Sequence, residues 1–337
     1  MARKHLIVPI FIPHQGCPYR CVFCNQVEIT GQDKQTDRDR VLDPLNVYLK
    51  SLPLEQLPKF REAAFYGGTF TGLPTQRQEF LLGLLQPWLD NGMLHAIRVS
   101  THSLFIDPER LTLLAKYRVK TVELGVQSTD PEVLKLAGRE SEPGLVAKSA
   151  ELVRKNNFQL GLQLMPGLPG DTVEKFMVSV DETLSMRPDF VRLYPALVIR
   201  NTQLHEMYLR GEYRPWDMER TIEALKLAVI KFASAGVPVI RIGLHPEPSM
   251  LKGYVDGPFH PSMKYLVDCR IGLDKMAALL KSKNKLGKNA VFKVPARAAS
   301  IYIGHKKENL AKLKGLFSLD EVSVQCGDTV GELELVA

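Results

Sequence analysis

The chain predicts an α/β protein, a partial (β/α)6 barrel of the TIM type followed by a small α+β C-terminal domain. Three observations predict it. Apolar, β-prone runs alternate with helical patterns as far as about residue 250. No phosphate-type glycine fingerprint of the dinucleotide-binding kind interrupts them. Beyond residue 250 the alternation gives way to a Pro- and Gly-rich stretch and then to a lysine-rich remainder.

The elements follow in order. "LIVPIFI" is the first strand; its basic lead-in suits a signal peptide only briefly, because no small-residue cleavage site follows. A helix around "RVLDPLNVYLKSL" comes next, then the strand "EAAFYGG" and the helix "TQRQEFLLGLLQPWL". "HAIRVST" precedes "DPERLTLLAKY", and "KTVELGVQS" precedes a two-part helical stretch across "DPEVLKLAG" and "EPGLVAKSAELVRKNN". "FQLGLQLM" pairs with "DTVEKFMVSVDETLSM", "DFVRLYPAL" with "DMERTIEALKLAVIKFASAG", and "VPVIRIG" is the last strand. Several helices open with Asp or Thr at the capping position, and "DPERL" and "DPEVL" put Pro at the first helical position. In such a barrel the chemistry collects in the loops after the strands' C-terminal ends. The cysteines, "YGGTFTGLP", "STHS", "GVQS" and "MPGLPG" all fall there.

After residue 250, "LHPEPSMLKGYVDGPFHPSMKYL" reads as a loop or linker. A helix "DKMAALLKSK", β-like "NAVFKV" and "AASIYIG", a helix "KKENLAKLKGLF" and the run "EVSVQCGDTVGELELV" complete the appendage. The expected domains are residues 1–250, the barrel, and 251–337, a basic accessory domain.

With 337 residues, 45% hydrophobic and 24% charged, the composition is that of a soluble globular protein with one large core and a smaller satellite. No apolar run approaches the roughly 18 residues of a membrane span, so no membrane partner is expected. The formal charge is +7. Between Lys252 and Lys314 stand fourteen Lys or Arg and four Asp or Glu, so this stretch suits either a polyanionic partner or a solvated surface. Tyr254, Phe259, Tyr265 and Tyr302 lie among those lysines and suit base stacking or core packing alike.

Five cysteines, three of them crowded into "GCPYRCVFCNQ", do not make a disulfide framework, and a reducing cytoplasmic setting is expected. Cys269 and Cys326 stand alone in apolar surroundings and read as buried small hydrophobes. Cys17, Cys21 and Cys24 form C-x3-C-x2-C. A closed zinc site takes four protein ligands, so three close thiols describe a metal site with a position left open. Thiolates are the standard ligands of iron–sulfur clusters, and three of them leave one iron of a [4Fe-4S] cluster free to chelate another molecule.

This spacing after a first strand, with Phe23 before the last cysteine, resembles the radical S-adenosylmethionine (SAM) superfamily. The resemblance implies a [4Fe-4S] cluster on Cys17, Cys21 and Cys24, and SAM as the remaining ligand. It also implies reductive cleavage of SAM to a 5′-deoxyadenosyl radical, fed by an external electron donor of flavodoxin or ferredoxin type. Gly67 and Gly68 leave room for backbone to approach a ligand; with Thr69 they match the family's segment for the amino group of SAM. "ELGVQSTDPEVLKLAGR" is similar to a segment of the oxygen-independent coproporphyrinogen oxidases and the Elongator catalytic subunit, which carries over Gln127 and, for the SAM carboxylate, Arg139. Ser100 and His102 of "STHS" match a reach toward the adenosine, and Met165 and Gly167 of "MPGLPG" the far side of the cofactor.

"FYGGTFTGLP", "QLMPGLPGDT" and "DFVRLYPALVIRNTQL" resemble the Elongator catalytic subunit, which modifies the wobble uridine of tRNA, over roughly residues 5 to 245. There Arg192, Tyr194 and Arg200 stand near substrate or cofactor, though Tyr194 reads equally as barrel packing. Against that family's pattern, no acetyl-coenzyme A domain is expected after the barrel and no long basic extension before it. The leading expectation is therefore modification of RNA, tRNA foremost, without a built-in acyl donor, with the basic 252–314 region as the tRNA contact. "YIGHKKENLAKLKGL" resembles the phosphate-clamping turn of KH domains, except that Gly304-His-Lys-Lys lacks the second glycine, and it suits a surface helix or a dimer contact as well. A small-molecule or peptide substrate, and a non-catalytic metal-binding module, remain as alternatives.

Overall fold

The computed structural model describes residues 5–26, 29, 37–51, 53–139, 142–283, 287–327 and 333–336. Parallel strands β1 (His5–Phe11), β2 (Phe60–Tyr66), β3 (Ala96–Thr101), β4 (Val119–Gln127), β5 (Gln159–Leu164) and β6 (Phe190–Leu193) are hydrogen-bonded in sequence order. A two-residue β7 (Val198–Ile199) follows, and β8 (Val239–Ile242) pairs in parallel with β6. The sheet thus has seven strands, curled into a half-barrel. Strictly sequential parallel order requires a crossover helix after each strand on one side, which the predicted alternation supplies.

The helices start where their caps are. Asp107 accepts from the Arg110 N–H at 2.8 Å, Asp130 from Val133 at 2.9 Å and Thr172 from Lys175 at 3.2 Å. Each satisfies an N–H that the first turn leaves free. Phe65, Phe70, Phe176, Ile10 and Ile12 are among the fully buried side chains of the core.

Two segments depart from the sequence expectation. The Pro- and Gly-rich stretch after 244 is not merely a loop. It contains a helix, Pro248–Gly253, the strand β9 (Tyr254–Asp256) paired antiparallel with β7, and the start of a long helix, Met263–Lys281. The run "AASIYIG", read as a strand, is the short helix Ala299–Ile303. Its β-branched residues favour extended chain only when a pleated neighbour is there to pack against; here the segment lies instead between Pro295 and the positive-φ Gly304.

By its contacts the chain forms two compact units: Met1–Trp216 with Lys231–Phe259, and Asp217–Ile230 with His260–Ala337. The second holds a three-stranded sheet in the order β11 (Glu321–Cys326), β10 (Asn289–Val294), β12 (Glu334–Leu335). Leu273, Met276, Leu280, Phe292 and Leu313 form its core. Arg270 clasps Glu219 at 2.6 and 2.7 Å and also pairs with Glu223, tying the helix Met263–Lys281 to the 217–230 segment. Cys269 is buried as expected, but Cys326 is exposed, because β11 ends in solvent-facing residues. Among the described residues no helix is long and apolar enough to cross a membrane.

Candidate active site

The cysteine loop leaves the C-terminal end of β1 and is laced to the turn after β2. The Ile12 N–H donates to the Tyr66 carbonyl at 2.8 Å, His14 to Gly67 at 2.9 Å, and Thr69 donates back to Gln15 at 2.8 Å. Glycine is required for this lacing. A Cβ on Gly68 would lie 2.5 Å from the carbonyl oxygens of both Ile12 and Gln15. Gly67 has φ +83°, and Gly16, inside the loop, packs its Cα on the Thr69 carbonyl. The glycine pair and the cysteine loop are one folded object.

Each sulfur meets a hydrogen-bond donor. Thr69 Oγ1 donates to Cys17 Sγ, Gln26 Nε2 to Cys24 Sγ and Arg139 Nη1 to Cys21 Sγ, each at 3.5 Å. Burial pushes the Cys24 thiol up to about 12, and Cys21 and Cys17 push it further the same way. Burial also raises Cys17, against the pull of Thr69. A thiolate in this place therefore needs added positive charge, which a bound metal centre supplies. Three close thiols, whose thiolates would repel one another, with N–H and O–H donors aimed at them form a donor set that fits iron–sulfur ligation, since such donors stabilise the negative sulfur. Among the described residues, no three His, Cys, Asp or Glu side chains close around a single ion position.

The other sequence-derived residues distribute around this loop. Arg139 follows the helix Pro131–Leu136, and its Nη2 donates to the Gly125 carbonyl on β4, so its fork links the barrel to Cys21. Gln127 ends β4 at a bulge, with φ +70°, and its Oε1 accepts from Gln163 at 3.2 Å. Burial, with the Arg139 charge adding to it, pushes His102 down to about 3. Its Nδ1 accepts the Leu104 N–H at 3.1 Å, and its ring meets Tyr19 of the cysteine loop edge-on at 5.4 Å. Phe23 and Met165 pack against the same buried cluster, which includes Val22, Val133 and Ala137. Gly167 (φ +85°) lies against the Trp216 ring; its N–H donates to Asp171 at 2.8 Å and its carbonyl accepts from Tyr213 at 2.7 Å. Ser100 sits half-buried on β3, in register with Glu123. Arg200 is exposed and stands apart, its N–H donating to the Gly253 carbonyl at 2.7 Å. Tyr254 and Phe259 pack on each other at 5.6 Å and on the Leu197–Ile199–Met250 cluster.

Apart from Arg192 and Tyr194, sequence reasoning missed the charged floor of the half-barrel. Arg98 on β3 is almost wholly buried between Glu62 of β2, at 2.7 Å, and Glu123 of β4, at 2.6 Å. Glu123 also lies 3.0 Å from Arg192 of β6, whose guanidinium donates to the hydroxyls of Tyr66 (2.7 Å) and Tyr194 (3.1 Å). Thr121 donates to Glu62 at 3.1 Å. Burial would strip charge from Arg98, but Glu123 and Glu62 outweigh it and hold the guanidinium pKa up. The signal was a charged residue in the middle of each apolar strand, in "FREAAFY", "AIRVST", "VELGVQ" and "FVRL". In a strand buried on both faces such a charge must find a partner.

Comparison with known proteins identifies the family. The radical SAM superfamily pattern matches residues 11–183, and the radical SAM C-terminal domain matches residues 188–272. The chain belongs to the radical SAM superfamily and is a radical SAM enzyme; the superfamily's cofactors are a [4Fe-4S] cluster and SAM. It is 26% identical over 260 residues to a tRNA uridine(34) acetyltransferase of Methanocaldococcus jannaschii, across 66% of this chain and 48% of that protein. It is 28% identical over 177 residues to Elongator complex protein 3 of Bos taurus, across 47% of this chain and 32% of the other. The chain thus spans about half, or less, of the length of these relatives. Among solved structures, archaeal Methanocaldococcus infernus Elp3 with an N-terminal deletion superposes with a TM-score of 0.64 at 21% identity, over 82% of this chain and 64% of that one, a likeness of fold.

Proposed function

We propose that this radical SAM enzyme modifies RNA, with tRNA as its substrate class, and that its cluster is held by Cys17, Cys21 and Cys24. The observation that carries the reading is the set of three thiols, each with its own donor, laced by Gly67, Gly68 and Thr69 to the mouth of the half-barrel. When bound, the cluster, which Cys17, Cys21 and Cys24 would hold, would supply the electron for reductive cleavage of SAM and so the radical chemistry applied to substrate.

The chain's own residues then do four things. Thr69, Gln26 and Arg139 steady the sulfurs, and Arg139 sets a fixed positive charge beside Cys21. The turn at Gly67 and Gly68, whose missing side chains make room for Gln26, Ile12 and Gln15, offers its backbone polar groups to the amino end of SAM. His102 is neutral, so its Nε2 carries the ring proton and can donate a hydrogen bond, while Gln127 and Met165 line the opposite strands' ends. Phe23, Met165 and the apolar cluster beneath them exclude water.

The tRNA part rests on the relatives named above and on the basic 252–314 region, an electron donor of flavodoxin or ferredoxin type being supplied from outside. Anaerobically reconstituted protein, with dithionite and SAM, should form 5′-deoxyadenosine, and more of it when tRNA is added. Cys24→Ala should form none. Iron-replete protein whose yield is unchanged by tRNA, and which leaves the tRNA nucleosides unaltered in mass, would sink the RNA reading while leaving the radical chemistry intact.

A further inference from the structure

The second unit contains a feature that radical chemistry does not use. β10 leads through the helix Ala299–Ile303, the turn Gly304–Lys307 and the helix Glu308–Leu316 into β11, which returns parallel to β10 in the register Asn289↔Glu321 to Val294↔Cys326. β12 closes the other side of β10, antiparallel, with Phe292 opposite Leu335. This is a βααβ unit with a tight turn between its two helices. KH domains clamp the backbone of a single-stranded RNA with a four-residue turn of this length, bounded by glycine.

The turn is rigidly built. Gly304 has φ +81°, and a Cβ there would lie 2.7 Å from Asn309 Cγ and 2.8 Å from the Asn309 nitrogen. Asn309 is buried beneath it and donates to the Cys269 carbonyl at 2.8 Å and the Ile301 carbonyl at 3.1 Å. Lys306 (φ +50°) and Lys307 (φ +64°) are both left-handed, a conformation that disfavours long side chains. Lys307 thus stands where the second glycine is absent, in a left-handed conformation that glycine adopts readily, so the turn gains a charge at that position.

That charge is left uncompensated. Residues 275–314 hold eleven Lys or Arg and one acidic residue, Glu308, a net +10. Glu308 is already paired with Lys312 at 2.7 Å. Lys306 and Lys307 are exposed and carry no ion pair among the described residues, and His305 stands beside them.

We propose that the turn Gly304–Lys307 is a phosphate clamp for single-stranded RNA, with Lys306 and Lys307 as its charged contacts and Asn309 as the residue that fixes its shape. The proposal rests on the RNA reading of the function and names the contact through which the RNA is held.

The test is fluorescence anisotropy of the full-length, reconstituted protein with a labelled 12-nucleotide mixed-sequence RNA and with a tRNA transcript, at several KCl concentrations. Lys306→Glu/Lys307→Glu should weaken both at least tenfold. It should also lower the slope of log affinity against log salt by about 1.4, two single-strand phosphate contacts at about 0.7 each. The same charge change at exposed Lys281 and Lys283 should cost less than threefold. Lys307→Gly should raise the melting temperature yet weaken RNA about threefold, an opposition that a purely structural lysine would not produce.

Equal loss in both double variants would mean diffuse attraction and overturn the clamp. So would tighter binding of a DNA oligonucleotide of the same sequence, or a parent protein that binds neither RNA. If the Lys306/Lys307 variant holds tRNA as the parent does, the clamp falls and the RNA reading stands. If the clamp holds RNA but tRNA changes neither 5′-deoxyadenosine yield nor its own nucleosides, the reading falls and the clamp stands.

Discussion

The hydroxyl of Tyr66 and the guanidinium of Arg192 are 2.7 Å apart, although their strands, β2 and β6, are four places apart in the sheet. On a flat sheet that separation would be about 19 Å at roughly 4.8 Å per strand, farther than the two side chains can span together. The contact exists because the sheet curls. Gly161 on β5 helps close it, since a Cβ there would lie 2.4 Å from the Phe190 ring and 2.9 Å from Glu123 Cγ. Tyr66 immediately precedes the glycine pair, so the buried charges under the barrel also set the seat of the cysteine loop.

Arg98→Leu should be severely destabilising. It leaves Glu62 and Glu123 buried without their shared cation, and breaking one partner of a buried network typically costs about 3–5 kcal/mol. Anaerobic urea denaturation of parent and variant measures this; a loss under about 1 kcal/mol would show that water enters the barrel floor.

The same network predicts acid sensitivity. Burial alone would raise the Glu62 carboxyl, but the His5 hydrogen bond and the Arg98 guanidinium prevail and hold it below its ordinary 4.5. A carboxyl lowered in the folded state contributes stability that is present above its unfolded pKa and lost as pH falls through the folded one. Melting temperature should therefore drop below about pH 4.5, and drop less steeply in Glu62→Gln.

Asp171 should behave in the opposite sense. Burial pushes its carboxyl from 3.8 to about 6, against the pull of the Gly167 N–H, and its Oδ1 has no hydrogen-bond partner among the described residues. The folded state therefore holds the proton longer than the unfolded one, and stability falls as pH rises from about 4 to 6. Asp171→Asn keeps an acceptor for Gly167 and should be more stable than the parent by up to about 3 kcal/mol at pH 8, with the gain vanishing below about pH 4. Denaturation at the two pH values decides it.

Gly68→Ala should damage the cysteine loop without touching a sulfur. The new methyl cannot share space with the Ile12 and Gln15 carbonyls at 2.5 Å, so the lacing must open. Iron retained after reconstitution should fall by more than half; full iron and full 5′-deoxyadenosine yield would show that the loop seats independently of this turn.

Arg139→Lys keeps the charge and loses the fork that joins Gly125 to Cys21. A charged hydrogen bond contributes roughly 1.5–3 kcal/mol. The KM for SAM should rise about tenfold or more, with protein stability little changed. An unchanged KM with lowered iron content would assign the arginine to the sulfur alone.

The sequence by itself determined what is local. Strand–helix alternation, the Asp107, Asp130 and Thr172 caps and the C-x3-C-x2-C spacing depend only on residues a few positions apart, and all were legible before any fold was drawn. So were Phe23, Gly67, Gly68 and Arg139 as members of one neighbourhood, because a known family's motifs bring them there. Tertiary structure decided the rest. Whether "AASIYIG" pleats or coils depends on what lies beside it. Which carboxylate neutralises Arg98 or Arg192 depends on the curl of a whole sheet, and that Lys306 and Lys307 are both left-handed is visible only in the folded backbone. Periodicity records which way a side chain faces along its own element; only closure of the barrel and of the βααβ unit sets which partners it meets.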